Sequence, residues 1–175
     1  MIIDILSGQV QTGKTTLLRK ITLELKKRGI GVGGFLNLSV YENDKIIGYD
    51  LYDLKEETQH PFLRKGGRTH WEKIGPYSFI PDTLERARSI LLQAESNDIC
   101  FVDEVGPYEL EGKGLWPTLA TILERRIPVL FLTVRTGLLN AFLEKLEKNV
   151  DKIFDVKDEE ALPKIMAHLE QKFIR

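Results

Sequence analysis

The apolar positions of this chain change period several times, and each change marks a strand or a helix. Ile2-Ile3-Asp4-Ile5-Leu6 is a near-continuous apolar run, the pattern of a strand buried on both faces. From Lys14 the spacing shifts to Leu17, Leu18, Ile21 and Leu25, one face of a helix that stops at Lys26-Lys27-Arg28-Gly29. Residues 33–54 alternate in two arms, Gly34 to Tyr41 and Ile46 to Leu54, around Glu42-Asn43-Asp44. Asn-Asp suits a turn, and the alternation predicts a β-hairpin. Residues 55–76 are polar, basic and aperiodic, with Gly66-Gly67 inside, and read as a mobile segment over a site.

Pro81-Asp82 opens a helix carrying Leu84, Ala87, Arg88, Leu91 and Leu92. Ile99 to Val102 and Val129 to Leu132 read as buried strands, and Lys152 to Val156 as a short one. Helices are expected over Leu115 to Leu123 and Leu138 to Leu146. A last helix sets Leu162, Ile165, Met166, Leu169 and Phe173 on one face. Strand and helix alternating after residue 80 predict a mostly parallel α/β sheet covered on both sides. No repeat, linker or low-complexity tract interrupts the chain, so residues 1–175 are expected to form a single domain.

Composition narrows the function classes. The chain has 175 residues, 42% of them hydrophobic, and a net charge of −1. No strong field attracts nucleic acid or an anionic membrane, so neither is an expected partner. No secretory pattern or membrane-length apolar run occurs, and a cytoplasmic location is expected. Cys100, the only cysteine, lies between Ile99 and Phe101 and is expected to be a small core residue. A single cysteine excludes an intrachain disulfide. Abundant Lys and Glu with few Cys and Met are compatible with a thermophilic source.

The chemistry begins where the first strand ends. Gly8-Gln9-Val10-Gln11-Thr12-Gly13-Lys14-Thr15, followed by Thr16, matches G-x-x-x-x-G-K-[ST] between a strand and a helix, the setting a phosphate loop needs. Gly8 and Gly13 allow a backbone that turns successive N–H groups onto an anion. The helix start adds unpaired N–H groups. Lys14 brings a charge for the β- and γ-phosphates, and Thr15 a hydroxyl for the accompanying Mg²⁺. Gly29, Gly31 and Gly34 also satisfy G-x-G-x-x-G, but they follow a helix and precede a strand. That order is the reverse of a dinucleotide site, and a helix stop with a tight connection is expected instead.

The strand at 99–102 leads into Asp103-Glu104. An acid ending an apolar strand suits the metal's outer shell, which assigns Asp103 with Thr15 to Mg²⁺. Glu104 faces another direction and is the candidate general base toward an attacking water. Arg64, Arg68 and Arg135 are candidates to stabilise the transition state. His60, His70 and Trp71 fall in the irregular segment, where Trp71 either stacks on a base or packs against the hairpin.

Asp103-Glu104-Val105-Gly106-Pro107-Tyr108-Glu109-Leu110 resembles the D-E-[IL]-G-x-M-E-L segment of the thermophile-type small nucleoside-triphosphatases, a family that includes the human cancer-related nucleoside-triphosphatase. Gly33-Gly34-Phe35 with Gly48-Tyr49-Asp50 is similar to that family's G-G-F…G-F-D hairpin, and Gly75-Pro76-Tyr77 to its G-[KQ]-Y step. The stretch from Leu139 to Leu169 is similar too. Tyr108 stands in place of Met, and Pro76 in place of a polar residue. The resemblance implies a three-layer, RecA-like P-loop NTPase fold, with the antiparallel hairpin extending its central sheet. It also implies slow, Mg²⁺-dependent hydrolysis of ATP, GTP and other nucleoside triphosphates. Residues Gly8 to Thr15 would take the phosphate-loop roles, and Asp103 and Glu104 those of the acidic pair. Two other functions fit the loop: a kinase for a small metabolite or nucleotide, and a nucleotide-dependent regulatory switch.

Overall fold

The first strand, β1 (Ile2–Gly8), feeds the glycine loop and then α1 (Lys14–Lys27). Leu18, Ile21 and Leu25 are buried beneath α1, and Leu17 is half-buried at the margin of that stripe. The helix stops where the chain turns at Gly29: its N–H donates to Lys26 O at 2.9 Å and the Ile30 N–H to Leu25 O at 3.1 Å. These bonds satisfy carbonyls the helix leaves open, so the second glycine pattern opens as a helix stop.

After it come β2 (Val32–Glu42) and β3 (Lys45–Asp53), joined through Asn43 and Asp44, both at positive φ. A two-residue turn with both residues left-handed matches the strand twist, and the hairpin forms where alternation placed it. Gly34, at φ +90°, also brings two backbones close. A Cβ there would lie 1.9 Å from Phe101 O on the neighbouring strand.

Residues 58–65 differ from expectation. They form β4 (Thr58–Lys65), a third antiparallel strand against β3, followed by the short β5 (Lys73–Ile74) and β6 (Tyr77–Phe79). Pro61 and a mainly polar sequence hid the strand. Pro61 stands at the register shift between Tyr49 and Asp50, a place where a missing ladder N–H is tolerated. Only Phe62 points fully into the core.

The rest follows as α2 (Pro81–Leu92), β7 (Ile99–Val105), α3 (Pro107–Leu110), α4 (Trp116–Leu123), β8 (Val129–Arg135), α5 (Leu139–Leu146), β9 (Lys152–Asp155) and α6 (Ala161–Phe173). Of the apolar set on α2, Leu92 is 42% exposed and lies off the buried face. The computed structural model describes residues 1–173 and gathers the strands into one nine-stranded sheet, ordered β5-β6-β4-β3-β2-β7-β8-β1-β9. From β2 to β9 every neighbouring pair is parallel, and the strands beyond β2 are antiparallel.

Helices cover both faces. α1 and α6 pack over Leu6, Ile99, Phe101, Val129 and Phe131. α2, α4 and α5 pack over Ile3, Ile5, Cys100, Val102, Leu130 and Leu132. Cys100 is a core residue as expected, and burial pushes its thiol up to about 12. No described helix is long and apolar enough to cross a membrane. Because β8 separates β1 from β7, the glycine loop and the acidic pair end up on strands two apart, with β8 residues between them.

Candidate functional site

The loop leaves β1 at Gly8, where a Cβ would lie 2.3 Å from Val156 Cγ1. It turns through Gln11 at φ +59° and reaches Gly13 at φ +92°, the residue preceding α1. The left-handed value explains Gly at that position. The first turn of α1 carries no acidic residue, so the positive end of the helix dipole is left for an anion. The Thr12 hydroxyl donates to Gln9 O at 2.7 Å and pins the loop from within. Lys14 is buried, with Nζ donating to Gly8 O at 3.0 Å and Gln9 O at 2.7 Å. Burial holds its pKa below the ordinary lysine value, opposed by the charges of Glu104 and Asp103.

Asp103 lies on β7 in the same alternation as Ile99 and Phe101, facing α1. The Thr15 hydroxyl donates to its Oδ2 at 2.7 Å and the Asn37 N–H to the same oxygen at 3.1 Å. The Thr133 hydroxyl donates to Oδ1 at 2.8 Å. Burial raises the Asp103 pKa from 3.8, and these three bonds to the carboxylate oppose the rise.

Glu104 departs from strand geometry. Its φ is +65°, rare for a residue with a Cβ, and the β7–β8 register shifts between Val102 and Val105. Asp103 and Glu104 together span the place of one residue on β8, which is a β-bulge. The bulge frees the Glu104 N–H from the ladder, and that N–H donates to Thr133 Oγ1 at 2.5 Å. Arg135 Nε donates to Glu104 Oε1 at 3.0 Å, and its Nη2 contacts the same oxygen.

These residues converge on a cleft of about 210 Å³, lined by residues 10–16 of the loop together with Asn37, Ser39, Tyr41, Tyr49, Asp103 and Glu104. Gly8 and Gln9 contribute through the carbonyls that hold Lys14. Arg64 and Arg68, proposed from sequence, line no part of it. Arg64 pairs with Asp50 and donates Nη1 to Tyr49 O at 2.9 Å and Leu63 O at 2.8 Å. Arg68 lies 5.6 Å over the Trp71 ring, which is how Trp71 packs, with His70 at its edge. Arg135 lies outside the cleft lining as well, but alone of the three it contacts a cleft residue, Glu104.

Asn37 and Thr133 were missed by sequence reasoning. A polar residue in the run Leu36-Asn37-Leu38 and another in Leu132-Thr133-Val134 were the available signals. Asn37 Nδ2 donates to Asp103 O at 2.9 Å, which orients the amide and makes Oδ1 its acceptor end. Downstream, Glu109 caps α3, accepting the Gly106 N–H at 3.0 Å and the Leu115 N–H at 3.4 Å.

A phosphate loop on β1, an acidic pair on β7 and a three-layer, RecA-like sheet define a P-loop NTPase. The family model described as NTPase matches residues 4–166. The chain belongs to that family. It is 29% identical over 174 residues to the nucleoside-triphosphatase THEP1 of Methanocaldococcus jannaschii, covering 94% of this chain and 97% of the relative. It is 31% identical over 129 residues to THEP1 of Methanopyrus kandleri, covering 73% and 71%. The mouse cancer-related nucleoside-triphosphatase homolog is 30% identical over 164 residues, covering 86% of each chain. Two solved structures share the fold. The human cancer-related nucleoside triphosphatase superposes with a TM-score of 0.76 at 24% identity, covering 98% of each chain. THEP1 of Aquifex aeolicus also gives 0.76, at 22% identity, covering 97% of this chain and 99% of that one.

Proposed function

We propose that this chain hydrolyses nucleoside triphosphates, ATP and GTP among them, to the diphosphate and phosphate with Mg²⁺. The reading is carried by one observation: Thr15 Oγ1 and Asp103 Oδ2 meet at 2.7 Å beside Lys14 and Glu104 in a single cleft. A hydroxyl and a carboxylate are hard oxygen donors of the kind Mg²⁺ prefers, so the pair fits that ion. Thr15 and Asp103 would hold the ion, which when bound would supply neutralisation of the charge on the phosphates.

The chain's own residues do the remainder. The N–H groups of residues 9–16 and the start of α1 cradle the phosphates. Lys14 Nζ exchanges two uncharged carbonyl acceptors for charged phosphate oxygens, so that both partners of the contact then carry charge. Glu104 orients the attacking water and takes its proton; both Arg135 contacts fall on Oε1, so Oε2 serves the water. Arg135, held beside Glu104, shares the charge of the transferring phosphoryl group.

The decisive assay follows phosphate release from ATP, GTP, CTP and UTP as Mg²⁺ is varied, for the wild type and Glu104→Gln. Release that persists without divalent ions, or equal release by both proteins, would sink the reading.

A further inference from the structure

The two ends of a bound triphosphate meet different surroundings. Val10, Gln11, Asn37, Tyr49 and Glu104 line both the phosphate cleft and a second cavity of about 520 Å³, so Glu104 stands where the two spaces join. Water poised by Glu104 attacks the terminal phosphorus from that side. In phosphoryl transfer the attacking and leaving oxygens lie roughly in line. The leaving chain therefore points away from Glu104 and from the second cavity, and a nucleoside attached to it goes the same way.

That leaving end is open. Gly13, Thr16, Ser39 and Tyr41 line the phosphate cleft only, and all four are exposed, Tyr41 at 63%. The buried and half-buried groups of the cleft, Lys14, Thr15, Asp103 and Glu104, are those that act on phosphate, metal or water. Size points the same way. The cleft holds about 210 Å³, whereas sites that enclose a whole drug-sized molecule run from about 300 to 1,000 Å³. The enclosed part takes a chain of phosphates, and the nucleoside projects past the exposed rim. Remote parts of a substrate raise the rate only through the contacts they make with the protein. A nucleoside lying against exposed residues makes few, so a substrate without it keeps most of what the site acts on.

We infer that this site also hydrolyses inorganic tripolyphosphate, a triphosphate with no nucleoside, to pyrophosphate and phosphate. The inference rests on the triphosphatase reading and removes the nucleoside from its substrate. The water oxygen bonds to a terminal phosphorus as that phosphorus loses its bond to the bridging oxygen. A water proton passes to Glu104, and the bridging oxygen leaves on pyrophosphate with the bonding electron pair. The bond broken is a phosphoanhydride bond, as in ATP. Tripolyphosphate carries a further charged oxygen where ATP has its ribose ester. At the exposed end of the cleft that charge stays hydrated, so no cost of burying it arises.

The test gives the wild-type protein either ATP or tripolyphosphate at equal free Mg²⁺. Phosphate release is followed, and phosphorus NMR identifies the second product. Tripolyphosphate should yield pyrophosphate and phosphate in equal amounts, with kcat/KM within about tenfold of that for ATP. Glu104→Gln and Lys14→Ala should each lower the two activities by the same factor, within about threefold. A kcat/KM for tripolyphosphate more than about tenfold below that for ATP overturns the inference and leaves the triphosphatase intact. Tripolyphosphate that competes with ATP but is not cleaved overturns it equally, as does tripolyphosphate cleavage that survives Glu104→Gln. Absence of phosphate release from both substrates overturns the triphosphatase reading itself.

Discussion

The Glu104 N–H donates to the Thr133 hydroxyl at 2.5 Å, and the same hydroxyl donates to Asp103 Oδ1 at 2.8 Å. One side chain on β8 thus satisfies the amide that the β7 bulge releases and orients the carboxylate facing Thr15. The two acids are adjacent in sequence yet aimed differently, because Thr133 supports the bulge between them.

Replacing Thr133 by Val keeps the shape and removes both bonds. Thermal unfolding should show a loss of about 1–3 kcal/mol, the cost of leaving buried polar groups unpaired. Turnover should fall with it, and KM for Mg²⁺ should rise as Asp103 loses its orientation. An unchanged KM for Mg²⁺ would separate Thr133 from the metal site.

Glu104 carries strain as well as chemistry, since φ of +65° costs a non-glycine residue about 1–2 kcal/mol. Glu104→Gly should therefore retain or gain stability in denaturant titration while losing at least about 100-fold in phosphate release, the scale of a missing general base. Glu104→Gln should lose a similar factor and still bind nucleotide within a few-fold of the wild type.

Lys14→Ala removes a charge-assisted contact to phosphate worth about 1.5–3 kcal/mol. Nucleotide affinity, read by equilibrium dialysis, should drop about 10- to 100-fold, with turnover falling further. Stability should change little, because Nζ bonds to the Gly8 and Gln9 carbonyls on the loop's own backbone and ties no distant element to it.

Mg²⁺ removal gives a parallel check. Chelation by EDTA should abolish phosphate release, and added Mg²⁺ should restore it. Thr15→Ala should need a higher Mg²⁺ concentration for half-maximal rate, while Thr15→Ser should behave like the wild type. Equal Mg²⁺ requirements for Thr15→Ala and wild type would count against Thr15 as a ligand.

Glu109 offers a pH signature. Burial raises its pKa above 4.5 in the folded chain, against the Gly106 and Leu115 N–H groups that lower it. A raised folded pKa means that folding favours the protonated form. Its contribution to stability is full below 4.5 and lost as pH rises through the folded pKa. Glu109→Gln does not titrate there. Melting temperatures of the two proteins should therefore shift in favour of the wild type on going from pH 7 to pH 4. A difference independent of pH would show that Glu109 does not titrate as its burial requires.

Local features were legible in the order of residues. A strand buried on both faces must be apolar throughout, a helix must repeat its apolar side every three to four residues, and a phosphate loop needs glycine where φ is positive. Ile2 to Leu6, Leu18 to Leu25 and Gly13 could therefore be read in place, and so could the Asn43-Asp44 turn. The hairpin's outer neighbour β4 could not, because an edge-side strand with one inward residue, Phe62, and a bulge at Pro61 leaves no period to detect. How the site closes depends on contacts between strands far apart in the chain. Strand order sets β8 between β1 and β7, which brings Thr133 to Asp103 and Arg135 to Glu104 across 30 and 31 residues of chain. The left-handed turn at Glu104 was equally invisible, since its strain is offset by the hydrogen bond its N–H donates to Thr133 Oγ1 on β8, a strand that residues 99–105 alone do not contain. Pairings of this kind depend on which strands become neighbours, a property of the whole sheet that no local window of residues contains.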